Sequence, residues 1–140
     1  MPTLRELEAY FTKYGERPPN EEELRLNPGW PWGPVKFYAH VATLAEADGV
    51  WFLCPKCFIA NKGAVGTHSV MAGFAGRCPP GSYTQDLDGN DTRWQVSGTG
   101  LDDLALSPSI HLVCKPPVPS GVCQWHGFVG MSGVPPGSAA

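Results

Sequence analysis

Between residues 35 and 130, clusters of Gly, Pro, Asn and Asp cut the chain into short runs. The runs are "VKFYAHV", "GVWFLC", "THSVMAGFA", "TRWQVSG", "LALSPSIHLVC" and "QWHGFVG", all rich in aromatic and β-branched residues. Such runs, several alternating with period two, read as six strands separated by turns. No helix of bundle length fits between the breaks. The composition agrees, with 17 Gly and 15 Pro among 140 residues and only 16% charged. The expected fold is therefore mainly β, a small antiparallel sandwich or roll. One domain accounts for the length.

The N-terminal fifty residues read differently. Thr3 and Glu6 form a T-x-x-E capping pattern, and Leu4, Leu7 and Phe11 recur at helical spacing. This predicts an N-terminal helix over residues 3–14, ended by Pro18 and Pro19. Asn20 is placed to cap a short turn through Glu23. Trp30 and Trp32 follow in a Pro- and Gly-rich segment and are expected to pack over a core edge, because Trp is usually well buried. Residues 1–50 thus form a leading segment, 51–130 the β domain, and "GVPPGSAA" within 131–140 a flexible tail with little to bury.

Charge and hydropathy exclude some functions. The net charge is −3 and the ten Lys and Arg are scattered, so the electrostatic footprint of nucleic-acid binding is missing. No apolar run approaches the roughly 20 residues of a membrane span. The start of the chain carries acidic residues and no apolar h-region, so export is not expected. In a reducing cytosol, five cysteines suggest metal ligands or thiols before disulfides.

The strongest chemical signal is "CPKC", residues 54–57. Two thiolates separated by two residues can turn back onto one ion, the usual knuckle of a structural zinc site. A redox C-x-x-C normally opens a helix in a βαβ setting. Here strand residues precede the motif, and "FIANKGAVG" after it is a poor helix former. Tetrahedral zinc needs two more ligands. A local set is C-x2-C-x10-H-x9-C, through His68 and Cys78. A distant set adds Cys123 and His126 as a second knuckle, C-x2-H, after sixty-five intervening residues. The distant pair is preferred, because it repeats the knuckle spacing and would clip together the two ends of the β domain. The expected zinc ligands are Cys54, Cys57, Cys123 and His126, with His68 as alternative ligand or as a group beside the metal. Cys78 and Cys114 read as buried thiols, and His40 and His111 carry no spacing signal.

Other motifs resolve into structure. "DLDGNDTRW" lacks the Gly and Glu positions of a calcium loop and reads as a hairpin turn through Asp88, Gly89, Asn90 and Asp91. Pro108 cannot donate to a strand ladder, so it belongs at an edge or bulge, with Ile110 returning to the core. There is no P-loop, dinucleotide motif, nucleophile elbow or H-E-x-x-H helix. No catalytic residue is assigned. A binding role is favoured over catalysis, the alternative being a zinc-dependent hydrolase with an open metal position that uses His68, Asp102 or Asp103.

"FLCPKCF", "GAVGTHSV", "RWQVSGTGLDDLALSPSI" and "CQWHGFV" occur in that order. Together they resemble a family of small zinc-binding proteins encoded largely by tailed phages and prophages. The resemblance covers about residues 51–129 and is most specific at Leu106–Ser107–Pro108–Ser109–Ile110 and Trp125–His126–Gly127–Phe128. The family has no established function, and its occasional label of ammonia monooxygenase finds no support in these residues. Its pattern maps onto Cys54, Cys57, His68, Cys123 and His126 without choosing four among them. The family's short turn before the last cysteine is expanded here to "KPPVPSG". The binding role rests on the lack of catalytic groups; the resemblance adds zinc and a phage setting, so the expected protein partner is from host or phage. The resemblance also places the protein in the cytoplasm of an infected or lysogenic bacterium, or in a virion.

Overall fold

The computed structural model describes residues 1–113 and 124–140. As expected, the chain is mainly β. β1 (Tyr10–Arg17), β2 (Val35–Val41), β3 (Gly49–Leu53) and β4 (Ser69–Gly73) form an antiparallel sheet in the order β2-β1-β3-β4. β5 (Gln95–Ser97), β6 (Ala105–Leu112) and β7 (Trp125–Val129) form a second antiparallel sheet, with β6 central. Two short helices complete the described elements, α1 (Glu21–Leu26) and α2 (Pro55–Asn61). None is long and apolar enough to cross a membrane. All six strands read from the sequence are present.

Alternation along each strand decides which side faces inward. In the first sheet, Phe11, Val50 and Ala72 form one cross-strand row and Phe52 and Val70 the next, all buried on one side. The other side carries Tyr10, Tyr14, Tyr38 and Trp51, with Tyr10 stacked on Trp51 at 4.8 Å. Leu106, Ile110, Trp125 and Val129 of the second sheet join the same core, and Phe52 meets Trp125 edge to face. The β6–β7 register shifts between Leu106 and Ile110, so Pro108 sits at the expected irregularity and Ile110 returns to the core.

The N-terminal helix does not form. The Thr3–Glu6 capping box does, with Glu6 N–H donating to Thr3 Oγ1 at 3.1 Å and Thr3 N–H to Glu6 Oε1 at 3.2 Å. It supports a single turn. Glu8 then takes a left-handed conformation, and Ala9 N–H closes back onto the Leu4 carbonyl at 2.9 Å. This is a helix C-cap geometry reached after one turn. Leu4 and Leu7 bury from the turn, and Phe11 buries from β1. The helical spacing of the three therefore arises across two elements. The strand wins from Tyr10 onward because it pairs on both sides, with β2 and β3.

Three further expectations change. Asn20 does cap through Glu23, but the turn extends into α1. Trp32 is 63% exposed and packs edge-on against Trp30 rather than over the core. The C-terminal segment is tied down, with Ala139 fully buried. Leu4 N–H donates to the Gly137 carbonyl, Ala139 N–H to that of Pro2, and Phe128 and Ala140 exchange both backbone bonds. The segment lies along β7 and covers the sheet edge, satisfying donors that an open edge would expose.

A buried polar knot braces the outer side of the first sheet. The Asp48 carboxylate accepts the Tyr14 N–H at 2.9 Å and the Tyr83 hydroxyl, which also bonds Thr12 Oγ1 at 2.8 Å. The Tyr83 ring lies over Gly49 and Gly73, where a β-carbon would collide with it. The turn after it is held by Asp86, whose carboxylate accepts from Asp88 and Asn90 N–H at 2.9 Å, so the acidic loop is a turn as expected.

Candidate metal centre

β3 and β4 run antiparallel from Gly49↔Gly73 to Leu53↔Ser69. The next step of that register sets Cys54 opposite His68, and Cys54 N–H donates to the His68 carbonyl at 2.9 Å. The chain then turns into α2 with Pro55 at its start, where its lack of an N–H costs nothing. Cys57 follows one helical turn after Cys54. The helix ends at Lys62 in a left-handed cap, with Gly63 N–H bonded to the Phe58 carbonyl. Thr67 Oγ1 donates to the Gly63 carbonyl at 2.7 Å, closing the loop that returns to His68.

The result is a three-residue group. One ligand atom each from Cys54, Cys57 and His68 lies within 4.8 Å of the others, close enough to bind a metal ion. Cys54 is fully buried, while Cys57 and His68 are half-buried. His68 Nδ1 lies 3.3 Å from the Ser69 carbonyl, and its buried Nε2 has no hydrogen-bond partner. An unpaired buried nitrogen carries a desolvation cost unless a further ligand satisfies it. In ligating histidines, the second ring nitrogen commonly bonds a backbone carbonyl.

His68, the alternative in the sequence reading, is thus brought to Cys54 and Cys57. His126 is not in this group; it lies on β7, with Nε2 3.0 Å from Ser109 Oγ. Cys123, with Cys114, lies outside the described residues. The knuckle is linked to the start of β7, since Lys56 Nζ donates to the Gln124 carbonyl at 3.0 Å. The signal that selects His68 is the strand register, which spacing along the chain does not express.

The remaining candidates have structural partners. Cys78 is half-buried, its Sγ–H donates to the Phe74 carbonyl at 3.3 Å, and burial pushes its thiol up. Asp102 pairs with Arg5 at 2.5 Å, and Asp103 accepts the Thr99 and Gly100 N–H groups at 2.8 Å. Each of these carboxyls is held below the ordinary aspartate range by those bonds. Neither belongs to the metal group.

The poor helix expected after Cys57 is in fact α2, so the motif does stand between a strand and a helix. Dithiol exchange nevertheless requires an accessible attacking sulfur. Cys54 has none of its surface exposed. Attack in this conformation would therefore fall to the half-buried Cys57. No family model, curated protein or solved structure matches the chain.

Proposed function

We propose that Cys54, Cys57 and His68 hold a structural zinc ion, and that the protein acts as a protein-binding module. The orphaned Nε2 of His68, buried beside two thiols, carries the metal reading. Two thiols and an imidazole are borderline-soft donors suited to a tetrahedral d¹⁰ ion, and a buried site without an assigned acid or base suits structure better than catalysis. Cys123 is the sequence's candidate for a fourth ligand. Exposed Trp32, Phe37 and Tyr38, on or near the edge strand β2, supply aromatic surface of the kind that anchors protein contacts. A phage or prophage setting, with a host or virion partner, rests on the sequence resemblance alone.

Metal analysis with X-ray absorption tests the zinc reading. One zinc per chain with an imidazole in its ligand shell is expected. Three sulfurs, falling to two in Cys123→Ser, would place Cys123 in the shell, and two in the unaltered chain would leave a position for another donor. Chelation at neutral pH, or Cys54→Ser, should lower Tm by about 10 °C or more, since losing even about 3 kcal/mol has that effect in a domain of this size. An unchanged melt after complete metal removal would overturn the structural role. For the binding role, affinity capture from infected cells should recover a partner that Trp32→Ala or Tyr38→Ala loses; capture indifferent to both would dismiss this surface.

A further inference from the structure

A second pair of metal-ligating side chains lies away from the cysteines. His111 on β6 and His126 on β7 are register partners, both exposed, with ring centroids 4.9 Å apart and ring planes inclined at 35°. Two imidazoles bound to one tetrahedral ion, at metal–nitrogen distances of about 2.0 Å, have ring centres roughly 5 Å apart. The two rings therefore need little movement to share an ion. Among the described residues, no carboxylate pairs with either ring. Ser109 stands on the same side of β6, its Oγ 3.0 Å from His126 Nε2. With the hydroxyl accepting from Nε2–H, Nδ1 keeps the lone pair, the arrangement that orients a ligating imidazole.

We propose that His111 and His126 form a two-imidazole site for a divalent transition-metal ion, oriented by Ser109 and separate from the cysteine site. Two protein ligands leave coordination positions for water or an exogenous donor. Ser109 and His111 also line a cleft of about 890 Å³ bounded by Met71, Arg93 and Trp94, which gives such a donor somewhere to sit. Imidazole ligation favours Cu²⁺, Ni²⁺ and Zn²⁺ over Mg²⁺ or Ca²⁺.

The test is calorimetric titration of the full chain with Ni²⁺, after its zinc content has been measured and set at no more than one equivalent per chain. Ni²⁺ avoids the thiol oxidation that Cu²⁺ would cause. One further equivalent should bind, and His111→Ala and His126→Ala should each weaken it by about tenfold or more, the scale of losing a ligand or its support. Ser109→Ala should weaken it less. Zinc content should stay unchanged in all three variants, and because these side chains are on the surface the variants should fold. No second equivalent, or binding indifferent to His111→Ala, overturns the proposal. So does zinc loss in His126→Ala alone, which would assign His126 to the cysteine site. Failure of the zinc reading would show separately, as a chain that retains no zinc before nickel is added.

Discussion

Tyr83 shows how one side chain can hold a sheet's outer side. Its hydroxyl donates to buried Asp48 and its ring covers two glycines. Burial, and then the hydrogen bond to Asp48, push this hydroxyl above the ordinary tyrosine range. A raised folded-state pKa favours the neutral form of the folded protein. Its stabilisation is complete below the unfolded value of about 10 and is lost as pH rises above it. Tyr83→Phe should therefore cost about 1–3 kcal/mol at neutral pH, by leaving Asp48 short of a donor. It should also flatten the alkaline limb of a stability–pH curve measured by denaturant titration. An equally steep alkaline limb in the variant would show that another group governs it. At the same scale, His68 was legible in the sequence only as an alternative ligand, ranked below Cys123 and His126. Nothing local distinguishes a strand histidine that faces two sulfurs from one that faces solvent.

At the scale of elements, the strands were legible because alternation and turn residues are local signals. The N-terminal turn was not, because Leu4, Leu7 and Phe11 satisfy a helical period while lying in a turn and then a strand. Tertiary pairing with β2 and β3 overrode the periodicity. The metal centre was legible only in part, for a related reason: Cys54, Cys57 and the alternative His68 come together, while Cys123 lies outside the described residues. Comparing spacings favoured a repeated knuckle, whereas the observed grouping follows from β3–β4 register, and register is fixed by what is buried. The close approach of Tyr83 to Gly49 gives an element-level prediction. Gly49→Ala should destabilise by about 1–3 kcal/mol through overpacking. In a Tyr83→Ala background the penalty should shrink, because the two sites touch. Additive costs in urea melts would exclude the ring contact as the cause.

For the whole molecule, the last four residues matter more than their composition suggests. "GSAA" offers little apolar surface, which is why the sequence reads as a tail. Its contribution is backbone pairing, with six hydrogen bonds joining residues 137–140 to Pro2, Leu4, Leu104, Phe128 and Gly130. Deleting residues 137–140 should cost on the order of 5 kcal/mol at about 1 kcal/mol per bond. That is comparable to the entire stability of many domains. A thermal melt of the truncated chain checks this; a change of only a degree or two would mean the segment is ornamental to stability.

The hydrogen bond from Cys54 N–H to the His68 carbonyl has a consequence in time as well as in energy. A sulfur with no exposed surface cannot be approached by a competing chelator while the strands stay paired. A chelator could meet a bound ion on the side of the half-buried Cys57 and His68, but the bond to Cys54 would break last, on opening of the β3–β4 end. The rate of exchange would saturate with chelator concentration at the frequency of that local opening. The ion's residence time would become a clock for the fraying of one hairpin.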